Sequence, residues 1–159
     1  MSDTGFQNAG AALEVSDEIS TLTMGASMRP MLRQHRDVVV IKRVDRPFKK
    51  GDVVLYPGGN GSFTLHRIIS IKNGQFIIRG DHNDFTEYDI KSDDIVGILK
   101  EFYRDGKYIN CDKSIGYKLY TFYIMYSFTL RMFWRKHLKP LLSKCKRLLF
   151  KIIKPKDSK

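Results

Sequence analysis

Short runs of β-branched and aromatic residues recur through the first two-thirds of this chain. Each is stopped by glycine, asparagine, aspartate or proline, and no helix-length periodic segment lies between them. "DVVVIKR" (residues 37–43) and "DVVLY" (52–56) are separated by "RPFKKG". "GGNG" (58–61) opens "SFTLHRIISIK", Asn73-Gly74 leads into "QFIIRG", and "DIVGILKEFYR" turns at Asp105-Gly106 into "KYIN". Asn-Gly between two such runs is the signature of a two-residue hairpin turn. Strands at this spacing without helices predict a mainly β domain over residues 21–112. The 159 residues suit one domain with a real core. Residues 1–20, polar and small, read as an N-terminal arm with one helical turn near residues 11–15.

Charge separates the chain into two parts. Residues 1–115 hold equal numbers of basic and acidic side chains, so the net charge of +11 resides entirely in residues 116–159, where Asp157 is the single acid. That stretch begins with the aromatic segment "YKLYTFYIMYSFTLRMFWRKHLK". After Pro140 it continues with "LLSKCKRLLFKIIK", whose apolar residues fall on one helical stripe with Lys144, Arg147 and Lys151 off it. The expectation is a β domain followed by C-terminal helices, with the tail (116–159) lying against an anionic membrane through Trp134, Lys144, Arg147 and Lys151. The tail's apolar stripe and its aromatic lead-in fit lipid better than a phosphate backbone, so nucleic acid is not the favoured partner. Residues 117–134 approach spanning length. If they span, the basic tail faces the cytoplasm and the domain lies outside; if they lie in the interface, the domain is cytoplasmic. The first 20 residues carry neither a basic n-region nor a signal-length apolar run, so no N-terminal anchor is expected. Cys111 and Cys145 match no metal spacing and read as two thiols.

Three features carry chemistry. "MGASMRPML" (24–32) presents Ser27 between a small-residue turn and Pro30. "TLHRII" places His66 within a predicted strand, where alternation puts His66, Thr64 and Ile68 on one face and Leu65 and Arg67 on the other. A neutral imidazole is the side chain suited to deprotonate a serine near pH 7. "IIRGDHNDF" places Asp81 and Asp84 just after the hairpin partner of that strand, where a carboxylate can hold the imidazole tautomer. Asp81, His82 and Asp84 in one loop make a poor metal set, and no metal or cofactor is expected.

In order, "GASMRPML", "RDVVVIKR", "KKGDVVLY", "TLHRIISI", "RGDHND" and "DDIVGIL" resemble the catalytic domain of the signal peptidase I clan, which includes the LexA-type self-cleaving repressors. The resemblance covers residues 24–99, and its specific part is the Gly-x-Ser-Met-x-Pro box. It implies that Ser27 is the nucleophile. Because the base strand reads Leu65-His66-Arg67 rather than carrying a lysine, it implies the Ser–His branch of endoplasmic-reticulum-type and archaeal-type signal peptidases. The family's Gly-Asp-x-Asn box matches residues 80–83, which makes Asp81 the candidate orienting acid. A further acid downstream in the family corresponds to Asp84 or Glu87. Met28 and Pro30 are the expected substrate-binding residues. The substrate is expected to be a leader or signal peptide with small side chains before the cut. The chain departs from the family in reading Arg36-Asp37 where Gly-Asp is usual, and in lacking a large insert. The alternatives are a self-processing LexA-type peptidase and a non-catalytic, membrane-bound peptide-binding adaptor.

Overall fold

The computed structural model describes residues 13, 15–59 and 62–133. Eight strands form one antiparallel sheet: β1 (Glu18–Leu22), β2 (Val38–Lys42), β3 (Val53–Pro57), β4 (Phe63–Lys72), β5 (Gln75–Arg79), β6 (Glu87–Ile90), β7 (Gly97–Arg104) and β8 (Lys107–Asn110). They run in the order β1-β2-β7-β3-β4-β5-β6, with β8 beside β7. A helix, α1 (Ile115–Phe133), follows. The fold is therefore mainly β with a C-terminal helix, as the strand spacing predicts.

The punctuation residues act as turns. Asn73 and Gly74 both have positive φ (50° and 77°), as do Asp105 and Gly106 (51° and 72°). Two positive φ angles in succession make the turn whose twist matches paired strands. Accordingly Lys72 pairs with Gln75, and Arg104 with Lys107. Two strands escape the run-based reading, β1 and β6, and they are the two ends of the sheet path. "EISTL" and "EYDI" are exposed along much of their length and contain no continuous apolar run. β1 begins at Glu18, within the stretch expected to be an arm. Leu13 and Val15 are helical, and Leu13 is buried in the core.

Both faces of the sheet are covered, which explains the unbroken apolar runs. Val53 and Leu55 enter one cluster with Val39, Ile41, Leu65, Leu99 and Phe102. Val54 and Tyr56 enter the other with Ile68, Phe76, Ile78 and Ile98. Full burial of Leu55, Ile68 or Ile78 is worth about 1.5–3 kcal/mol each. Ser114 caps α1, its Oγ accepting from the Tyr117 N–H at 3.2 Å. Tyr117 and Tyr120 pack on the first cluster.

Contacts divide the chain into units 1–122 and 123–159. In the second unit, the described part is helical to Phe133, with Tyr123, Tyr126 and Leu130 exposed. No helix among the described residues is long and apolar enough to cross a membrane. Trp134, Cys145, the basic residues Lys144, Arg147 and Lys151, and the second expected helix lie outside the described residues.

Candidate active site

Strand β4 does two jobs along its length. Its first half pairs with β3, Phe63 opposite Pro57 and His66 opposite Val54; its second half also pairs with β5, beginning at Arg67 opposite Arg79. His66 therefore sits where the β5 side of the strand opens. That open stretch, Ser62–Leu65, faces the serine loop across a cleft of about 240 Å³, lined on the loop side by Thr23, Met24, Gly25, Ser27, Met28 and Leu32.

The serine loop is closed at its base. Thr23 N–H donates to the Asp37 carbonyl at 2.9 Å, and His35 N–H donates to the Thr23 carbonyl at 2.8 Å. The Thr23 hydroxyl reaches the carbonyls of Arg33 (2.6 Å) and Asp37 (3.0 Å). The buried Asp37 carboxylate accepts from the Arg33 backbone N–H and guanidinium, both at 2.8 Å. Asp37 thus clamps the loop although an arginine precedes it. Gly25 supplies the left-handed backbone (φ 79°) that turns the chain into Ala26-Ser27. Buried Met28, Met31 and Leu32 pin the far side of the loop into the core. Met28 lines the cleft. Pro30 does not; it borders a separate hollow with Met31, Phe102 and Tyr120.

The register decides which acid meets which base. Ile68 pairs with Ile78, and Ile78 with Glu87. Paired residues share a face, and His66 lies two positions before Ile68, so Glu87 stands on the imidazole's face. Its Oε1 lies 2.8 Å from His66 Nδ1, and the Tyr56 hydroxyl lies 2.9 Å from the same nitrogen. A carboxylate only accepts, so Nδ1 carries the proton and Nε2 keeps its lone pair. Burial lowers the His66 pKa below its usual 6.5, and the Glu87 charge partly opposes that shift. Burial, reinforced by a hydrogen bond to Glu87, raises the Tyr56 phenol far above its usual 10, so it stays protonated.

Asp81 goes to the other face. Arg67 and Arg79 are paired, and Asp81 follows Arg79 by two residues. Its carboxylate is gripped by the fully buried Arg67 guanidinium, Nε at 2.8 Å and Nη2 at 2.7 Å, and accepts from the Tyr120 hydroxyl at 3.1 Å. The rings of Tyr117 and Tyr120 each lie 5.8 Å from the Arg67 guanidinium carbon. Of the three acids left open by sequence, the one on the imidazole is Glu87; Asp81 is a structural anion and Asp84 is exposed in the loop.

The loop that contains Asp81 touches both other partners. His82 N–H donates to the Ser27 carbonyl at 2.8 Å. A side chain at Gly80 would begin 2.7 Å from the Ser27 carbonyl oxygen and 2.9 Å from both Ser27 Cβ and Asn83 Nδ2, so only glycine fits. Asn83 Nδ2 in turn lies 3.5 Å from His66 Nε2, a long contact from a donor to the ring's free lone pair. Ser27, the 80–83 turn and the imidazole thus converge, although Ser27 Oγ is not hydrogen-bonded to the ring. Among the described residues the Ser27 and Met28 N–H groups also enter no hydrogen bond. Tyr56 was not singled out from sequence, and the β3–β4 register brings it to His66; Asn83, the last residue of the matched 80–83 box, reaches the imidazole from a turn. Among the described residues no group of three His, Cys, Asp or Glu side chains is placed to hold a metal. The sequence matches no known family model and no curated protein.

Proposed function

We propose that this protein is a serine endopeptidase of the signal peptidase I type, cutting leader or signal peptides after small residues at an anionic membrane surface. The observation that carries the reading is the imidazole of His66, buried and neutral, with Nδ1 committed to Glu87 and Nε2 left with its lone pair beside the Ser27 turn. In this mechanism a bound peptide lies in the cleft between the serine loop and the open edge of Phe63–Leu65. His66 Nε2 takes the Ser27 proton as Oγ attacks the scissile carbonyl. The Ser27 and Met28 N–H groups receive the developing oxyanion. The imidazolium, held by Glu87, returns its proton to the leaving amine, and water deprotonated by the same nitrogen releases the acyl group. The Ser27–His66 hydrogen bond, open in the free protein, closes on substrate, as such bonds commonly do. The preference for small side chains before the cut follows from the family resemblance, with Met28, Leu32 and Leu65 among the residues lining the cleft.

The test is cleavage of a leader peptide that continues beyond an internal Ala-x-Ala site, in detergent, with mass spectrometry locating the cut. Wild type is expected to cut after the second alanine. Ser27→Ala and His66→Ala are each expected to lose activity by roughly 10²–10⁴-fold or more. Variants that cut as well as wild type would sink the mechanism, and silence of wild type across a diverse leader panel would turn the reading toward a peptide-binding adaptor.

A further inference from the structure

A second cleft, of about 300 Å³ and sharing no lining residue with the first, opens between the β2–β3 connection, the end of β8 and helix α1. Its cationic side chains are Arg46, Lys49, Lys50 and Lys118, and its carboxylates are Asp52 and Asp112. Both acids are already spent. Asp52 is held by Arg46 through paired contacts of 2.8 and 2.9 Å, and Asp112 by Lys100 at 2.7 Å. Lys49, Lys50 and Lys118 remain, all exposed, and no carboxylate among the described residues lies within ion-pair distance of any of them. Three uncompensated ammonium groups around one concave site concentrate positive potential where an anion fits.

The neighbouring surface is apolar rather than wet. Helix α1 buries Tyr117 and Tyr120 against the domain, while Ile115, Leu119 and Phe122, on the opposite side, are 74, 64 and 71% exposed. Lys118 stands between the two faces, pointing into the basic cleft beside this apolar row. A row of large apolar side chains flanked by lysines matches the boundary between acyl chains and headgroups.

We propose that this cleft binds the phosphate of an anionic phospholipid headgroup, with the outer face of α1 seated in the adjoining acyl layer. Lipid recognition then resides in the folded domain itself, and not only in the basic tail. The inference rests on the membrane-surface part of the proposed function, and is independent of its peptidase part.

The test is co-sedimentation of the full chain with phosphatidylcholine vesicles with and without phosphatidylglycerol. Two variants of equal charge change are compared: Lys49→Gln/Lys50→Gln/Lys118→Gln in the cleft, and Lys72→Gln/Lys91→Gln/Lys107→Gln on exposed positions elsewhere. The cleft variant is expected to lose about tenfold to a hundredfold of its partitioning onto anionic vesicles, and the remote variant roughly threefold or less. Equal losses would reduce the effect to bulk charge, and an unchanged cleft variant would remove the site; either overturns the inference. Cleft-dependent binding of inorganic phosphate by phosphorus NMR, or of a single-stranded oligonucleotide, with vesicle binding unaffected, would assign the cleft to another anion and overturn it as well. If wild type fails to sediment with anionic vesicles, the membrane reading falls together with the inference. Cleavage of a soluble leader peptide by the same variants reports on the peptidase reading separately.

Discussion

Glu87 lies on an edge strand whose sequence, "EYDI", carries no catalytic signature, yet it holds the one nitrogen that fixes the imidazole tautomer. Its role can be read from pH. The kcat/KM of a serine–histidine enzyme falls on the acid side as the free imidazole protonates. Burial depresses the His66 pKa, so in wild type that limb is expected below 6.5. Glu87 acts in the opposite sense, favouring the protonated ring. Glu87→Gln is therefore expected to move the limb further toward acid while lowering the rate on the plateau by roughly 10²-fold or more. A pH–rate profile of both proteins checks this; a limb that stays in place, or moves toward neutrality, removes Glu87 from the role. Asp81, the acid that the family resemblance favours, acts on the imidazole only through its charge and less strongly than Glu87, so its removal is expected to move the limb toward acid by less than Glu87→Gln does.

At the scale of elements, the serine loop and strand β4 explain each other. The loop is closed at its base by Thr23, which contributes two backbone bonds and a hydroxyl to the chain at residues 33–37. Thr23→Val keeps the shape and removes the hydroxyl, so the Arg33 and Asp37 carbonyls each lose one donor and keep their backbone donors. The expected cost is about 0.5–1.5 kcal/mol in denaturant unfolding, with a fall in leader-peptide cleavage because Ser27 rides on that loop. Unchanged stability and activity would show that the loop is held elsewhere. The strands of the sheet interior were legible because burial on both faces demands unbroken apolar runs, as in "DVVLY". β1 and β6 were not, because an edge strand is specified by its neighbour's free hydrogen-bonding groups and not by its own composition. Missing β6 also left the choice among Asp81, Asp84 and Glu87 open, since only the β5–β6 register places Glu87 beside His66.

Across the whole domain, one buried ion pair joins sheet, loop and helix. Arg67 on β4 holds Asp81 of the Ser27-bracing loop, donates to the Gly51 carbonyl and to Thr121 Oγ1, and lies between Tyr117 and Tyr120 of α1. Asp81→Asn leaves a fully buried guanidinium without its counter-charge. The expected loss is about 3–5 kcal/mol of global stability. Urea unfolding measures it, and a variant as stable as wild type would show that the pair is not integral to the fold. The same helix carries the apolar row beside the basic cleft, so the proposed membrane face and the proposed active site are built on one framework.

The sequence by itself determined the fold class, the turns at Asn73-Gly74 and Asp105-Gly106, the face on which His66 stands, and the charge asymmetry of the chain. These are local properties: backbone preference at glycine and asparagine, alternation along a strand, and composition. Tertiary structure alone decided which carboxylate serves which base, that Met28 and not Pro30 borders the Ser27 cleft, and that Lys49 and Lys50 of the β2–β3 connection share a second cleft with Lys118 of α1. Each of those depends on contacts between residues distant in the chain; for His66, Arg67 and Glu87 a shift of one residue in strand register would send the side chain to the opposite face.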